Sequence, residues 1–150
     1  MQKYKSEPWR FIAAMLLSFY TLLMLWLTIF SRKPMADHKI IPELFWSYRE
    51  LFTGDPHGKE AVIQNLKNIV SFMPIGFLIP IVFKKNKWFF AVFLGFTLSA
   101  LIEASQYFFK LGWCEPDDVI CNTLGTFLGW LCSNKRKILL MRAQEFIRRP

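Results

Sequence analysis

Glu103 and Gln106 stand three residues apart in the stretch SALIEASQYFF, at the end of an apolar run that begins at Trp88. Asp118 and Asn122 are four apart, and Asn65 and Asn68 are three apart. A carboxylate can move a proton, face a cation or accept hydrogen bonds, and an amide offers both a donor and an acceptor. Helical periodicity puts each pair on one face: Ser99, Glu103 and Gln106 are i, i+4 and i+7, and Asp118, Asn122 and Gly125 repeat that spacing. Asn65, Asn68 and Phe72 follow the same rule. Two readings stand side by side. The six polar residues form a binding site, or they join helices by hydrogen bonds.

The elements that carry them are apolar. The 150 residues are 53% hydrophobic and 17% aromatic, and the charged residues lie almost wholly between four apolar blocks, with Glu103 inside one. A crossing helix needs ~20 apolar residues to traverse ~30 Å of hydrocarbon. The expected fold is therefore all-α: a polytopic four-helix transmembrane bundle in a single domain over 1–150, with spans at about 11–30, 68–83, 88–109 and 118–132. The second and fourth are short and require polar flanks near the interface or a thinner bilayer. The first block runs 20 residues and ends in TIFSRKP, so it reads as a retained anchor rather than a cleaved signal.

Alternating spans bring the three polar pairs to one membrane face. Glu103 then lies ~9 Å inside the end of its span. A buried ionisable group is costly in lipid and is expected to face the bundle interior or a wet cavity. Lys110, seven residues after Glu103, is expected at the rim of that cavity. Gly125-x-x-x-Gly129 favours close helix packing. Pro74, Gly76 and Pro80 predict a bent second span with freed carbonyls.

Basic residues set the orientation. Both termini and the 84–87 loop hold twelve of the nineteen Lys and Arg residues, including Lys3, Lys5, Lys85, Arg148 and Arg149. The other side, which includes Lys39, holds seven. This bias predicts cytoplasmic termini and a basic cytoplasmic tail over 133–150 that frays from the fourth span. The net charge of +8 then reflects topology and attraction to anionic lipid. No aromatic–basic interleaving accompanies it, so nucleic acid is not an expected partner. In the 31–67 connector, Leu44, Tyr48, Leu51 and Phe52 recur at helical spacing after Pro42. Either a short helix on the outer membrane surface or a loop packed over the spans accounts for them. His38 and His57 read as loop residues, and Cys114, Cys121 and Cys132 as small apolar fillers.

The motif core at 65–130 resembles the VanZ-like family of bacterial membrane proteins. The residues that carry the resemblance are Asn68 before Pro74-I-Gly76, then Glu103-AS-Gln106, then Glu115-PD-Asp118-VIC-Asn122-TL-Gly125-TFL-Gly129. Members often have an Arg just before the acidic pair. Here the run is LGWCEPDD with only Lys110 nearby, and its first acid is Glu115 rather than Asp. The resemblance implies a multi-pass protein of the bacterial plasma membrane, linked as an accessory factor to tolerance of glycopeptide antibiotics, chiefly teicoplanin.

Three functions fit. The first is an accessory protein of the cell envelope. Its outward polar cavity, drawn from Asn65, Asn68, Glu103, Gln106, Lys110, Glu115, Asp118 and Asn122, binds a membrane lipid, a lipid-linked cell-wall intermediate or a lipoglycopeptide antibiotic. The second is a membrane enzyme acting on a lipid head group, with Glu103 as acid or base and Glu115 and Asp118 orienting substrate or holding Mg²⁺. No Ser or Cys nucleophile beside a His, phosphate-cradling loop or zinc spacing supports it, and no cofactor or resident metal is expected. The third is a non-catalytic scaffold for other envelope proteins. Nothing in the sequence specifies an oligomer.

Overall fold

The computed structural model describes residues 8–36, 40–54, 56–84 and 87–147. Lys3, Lys5, His38, Lys39, Lys85, Arg148 and Arg149, used above for charge and loop readings, lie outside the described residues. The chain runs through α1 (Pro8–Leu25), a π-helical turn (Trp26–Phe30), α2 (Trp46–Thr53), α3 (Pro56–Phe83), α4 (Trp88–Phe108) and α5 (Pro116–Ile147). No strand forms among the described residues beyond an isolated parallel bridge between Ile40 and Cys114. Three helical stretches are long and apolar enough to cross a membrane: Pro8–Phe30, His57–Phe83 and Trp88–Phe108. These mark the chain as a membrane protein. Their outer faces carry exposed Phe11, Phe19, Leu22, Phe93 and Phe96, which would be untenable against water and suit a hydrocarbon solvent.

Helix α5 runs from Pro116 to Ile147, so the backbone past 133 continues the helix instead of fraying from it. Helix α3 likewise stays helical through Pro74 and Pro80. In the connector, the helical pattern is realised from Trp46, four residues after Pro42. Ser47 is its buried residue, whereas Leu44 and Phe52 stay exposed. The helix lies across the start of α3, where Gly58 leaves no room for a Cβ against the Leu51 backbone.

Helices α3 and α5 form the central pair. A Cβ on Gly76 would fall on the Thr126 carbonyl, one on Gly125 on the Ile69 carbonyl, and one on Gly129 on the Met73 carbonyl. Small residues on both helices thus let the two backbones touch. Around them Met24, Phe72, Ile75, Ile79, Ala91 and Ile102 make the apolar core, with Tyr20, Leu94, Leu98 and Trp130 packed on it. Helix α1 is tied to α3 at two levels. Arg10 donates to Val82 O from Nη2 at 2.9 Å, and Tyr20 donates its hydroxyl to Ser71 O at 2.9 Å.

Helix α4 closes with Lys110 in the left-handed region at φ 57°. Lys110 N donates to Tyr107 O at 3.2 Å and Leu111 N to Gln106 O at 2.8 Å, the paired bonds of a Schellman cap. That position ordinarily takes glycine, because a Cβ there costs ~1–2 kcal/mol. Lys110 O accepts Met35 N at 2.8 Å, so this turn also holds the connector.

Two outcomes follow from this packing. Gly125→Ala and Gly129→Ala should each lower stability by about 1–3 kcal/mol, the cost of overpacking a fitted interface, in thermal denaturation of detergent-solubilised protein. Lys110→Gly should raise stability by about 1 kcal/mol in the same measurement, since it relieves the left-handed Cβ.

Candidate functional site

Four helices deliver polar side chains to one cavity of about 330 Å³. Helix α3 brings Gln64, Lys67 and Asn68; α4 brings Glu103 and Gln106; α5 brings Asp118 and Asn122. Helix α1 and the turn after it bring Tyr20, Leu23, Met24, Leu27 and Thr28, and Arg32 follows. The i, i+4, i+7 stripe of α4 faces fully inward: Ser99, Glu103 and Gln106 are all buried.

Several of these groups also join helices. Asn122 Nδ2 donates to Ser99 Oγ at 2.8 Å, which ties α5 to α4. Gln106 Nε2 donates to Thr28 O at 3.2 Å, which ties α4 to the π-helical turn. A π-turn widens the helix and leaves carbonyls off the usual ladder, a feature frequent at functional sites. Among the described residues Asn122 Oδ1 is buried without a hydrogen-bond partner, whereas the Asn68 side chain faces the Asp118 carboxyl as its hydrogen-bonding neighbour. An unpaired buried acceptor carries a desolvation cost of ~1–3 kcal/mol.

The other sequence candidates go elsewhere. Asn65 lies one turn nearer the start of α3 than Asn68, at the level of α2, and donates from Nδ2 to Ser47 Oγ at 2.9 Å. Asn65 and Glu115 line a second cavity of about 780 Å³, together with Glu43, Trp46, Glu50, His57, Glu60 and Trp113. Gln64 borders both. A ladder of hydrogen bonds separates the two spaces. Glu115 N donates to Glu103 Oε2 at 3.1 Å, and Trp46 Nε1 donates to Glu115 Oε2 at 3.1 Å. Asp117, buried in the first turn of α5, accepts Phe45 N at 2.9 Å and pins the start of α2. Lys110 serves the turn described above and lines neither cavity.

The cations of the inner cavity are Arg32 and Lys67, two of the seven basic residues on the side opposite the termini. Arg32 follows the first apolar block at once, in SRKP. Its guanidinium lies so close to buried Gly112 that a Cβ there would meet Nη1 at 2.9 Å. The helical wheel offered a signal for Lys67, adjacent to Asn68 and one turn after Gln64. Arg32 had no such signal, because the turn of chain that returns it to the cavity follows no helical period.

The sequence model of the VanZ/LLP1 family matches residues 17–140. The chain belongs to the VanZ/LLP1 family. It is also 29% identical over 118 residues to Protein VanZ of Enterococcus faecium, an alignment that covers 76% of this chain and 68% of that protein. No solved structure matches. The family match encloses every residue of the inner cavity. In this VanZ/LLP1 chain the run before the acidic pair lacks an Arg, and the cavity's guanidinium comes from residue 32, before the connector.

Burial pushes the Glu115 carboxyl above its ordinary range, the Trp46 N–H opposes the shift, and Asp117 adds to it. A carboxyl whose folded pKa is raised contributes stability that is fully present below its unfolded value of ~4.3 and fades as pH rises through the folded value. Docking of the connector should therefore loosen as pH climbs above the ordinary glutamate range. Protease cleavage within 40–54 should speed up over that interval, and Glu115→Gln should flatten the dependence.

Proposed function

We propose that this chain is a membrane-integral accessory protein of the bacterial cell envelope whose inner cavity binds an amphiphile. The ligand class comprises a membrane lipid, a lipid-linked wall intermediate or a lipoglycopeptide antibiotic. The cavity carries this reading. Arg32, Lys67, Glu103 and Asp118 give it a polar part, and Leu23, Met24, Leu27 and Ile102 give it an apolar wall. The unpartnered Asn122 Oδ1 favours an occupant over simple helix glue, since glue leaves no reason for a buried amide oxygen to stay unpaired.

In this reading the apolar start of α5, residues 119–132, is the fourth span. It measures ~21 Å at the helical rise, short of ~30 Å of hydrocarbon, so it relies on its embrace with α3 and on a locally thinner bilayer. Both termini lie in the cytoplasm, which the excess of Lys and Arg at the termini and in the 84–87 loop supports. The cavity then opens toward the outer leaflet, where wall intermediates and drugs are met. Binding there protects the cell by withholding the lipid target from the antibiotic or by engaging the drug's acyl chain.

Expression of the wild type in a sensitive host should raise the inhibitory concentration of teicoplanin more than that of vancomycin, which lacks an acyl chain. Glu103→Gln, Asp118→Asn and Asn122→Ala should each cut that protection by about fivefold or more, the equivalent of ~1 kcal/mol of lost recognition, at unchanged membrane abundance. Full protection by all three variants would return these residues to a purely structural role.

A further inference from the structure

The arrangement of charge inside the cavity narrows the head group it takes. Arg32 and Lys67 come from separate segments, both are exposed at the rim, and neither forms an ion pair with a described residue. Glu103 and Asn122 lie deep, 4% and 5% exposed. Glu103 spends Oε2 on the Glu115 amide, and Asn122 Oδ1 has no partner. The cavity thus presents cationic donors toward its mouth and acceptors on its floor. A bound molecule must answer both: an anion at the mouth and hydrogen-bond donors beneath it.

Depth says which anion. Arg32 stands two residues beyond Phe30, the end of the first membrane-crossing stretch, so it sits at the level where lipids carry their phosphates. A guanidinium and an ammonium on one cavity suit a phosphate, with a planar fork for two oxygens and a point charge for a third. An uncharged head group would leave both cations unanswered. A head group with phosphate alone would leave Asn122 Oδ1 unpaired.

We propose that the inner cavity selects amphiphiles whose head group joins a phosphodiester to a hydroxyl or ammonium donor. The phosphate is held by Arg32 and Lys67, and the donor by Glu103, Asp118 and Asn122 Oδ1. Phosphoglycerol and phosphoethanolamine head groups share this chemistry. The proposal rests on the reading of the cavity as an amphiphile site.

Titration calorimetry on the purified full chain in detergent tests it, with dihexanoyl phosphatidylglycerol, phosphatidylethanolamine, phosphatidylcholine and diacylglycerol, and with inorganic phosphate. Phosphatidylglycerol, phosphatidylethanolamine or both should bind at least about tenfold more tightly than phosphatidylcholine, which has no head-group donor, and than diacylglycerol, which has no phosphate. Arg32→Gln with Lys67→Gln, both exposed positions, should erase the preference over diacylglycerol by about the same factor, leave the preference over phosphatidylcholine, and keep the melting temperature. Equal binding of all four amphiphiles overturns the head-group assignment and leaves the amphiphile reading standing. A preference over diacylglycerol that survives the double substitution overturns the role of the two cations and with it the proposal. Inorganic phosphate binding as tightly as the best lipid, or no binding by any probe, overturns both the proposal and the amphiphile reading.

Discussion

Everything in this structure hangs on the contact between α3 and α5. Gly76, Gly125 and Gly129 bring the two backbones to the point where each glycine faces a carbonyl of the other helix. In lipid there is no hydrophobic drive to bring apolar helices together, so such close packing and its weak Cα–H···O contacts carry the association. The same contact fixes the register of the two helices. That register sets Asn68 across from Asp118 and Asn122, and it leaves a gap at this end, where the side chains are larger and polar. A bundle held apart by bulky residues at 76, 125 and 129 would have no defined cavity to fill.

Polar groups then extend the order outward from that pair. Asn122 reaches α4 through Ser99, Gln106 reaches the π-helical turn through Thr28 O, and Glu103 accepts the backbone of Glu115. Glu115 in turn receives Trp46, and Asp117 receives Phe45 N. A buried carboxylate at the floor of the inner cavity is therefore two hydrogen bonds from the connector helix. Each bond forms where water is scarce, so each counts for more than it would on a soluble surface. The connector is not draped over the bundle. It is bolted to the acidic run that leads into α5, and Lys110 O, by accepting Met35 N, holds its other end.

Much of this was legible before any coordinates. Period and alternation sufficed to turn Ser99, Glu103 and Gln106 inward, and to bring Asn68, Asp118 and Asn122 to the same end, because both rules operate within straight helices. They failed where the chain leaves helical periodicity. Asn65 shares a face with Phe72, but α2 crosses that face and takes the amide for Ser47. Lys110 was placed by counting seven residues from Glu103, yet the helix ends at Phe108 and the lysine becomes the left-handed residue of the cap. Arg32 belongs to an irregular segment whose course depends on pairing with residues 110–114, nearly eighty positions away. No local pattern encodes such a contact. The basic segment with ILLM extends α5 instead of leaving it, since lysine and arginine are good helix formers.

The cations and carboxyls of the cavity act on one another across a gap: Arg32 and Lys67 stand at the rim while Glu103 lies on the floor, the field of Arg32 reaches Glu103 and Asp118, and the salt bridge between Arg49 and Glu43 is outside the inner cavity. Separation of this kind costs stability, because charges left unpaired in a partly dry cavity lose hydration without gaining a partner. A purely structural cluster would relax toward collapse, with the long cationic side chains folded onto the carboxylates. What resists collapse is the rigidity of the four helices that carry them. Of the three stretches long and apolar enough to cross a membrane, the first is the least embedded: 11% of it is buried, against 22% and 28% for the other two. It also supplies Leu23, Met24 and Leu27 to the cavity's apolar wall. For an amphiphile held as proposed, the head stays among fixed charges and the tail leaves past the helix that has least packing to lose.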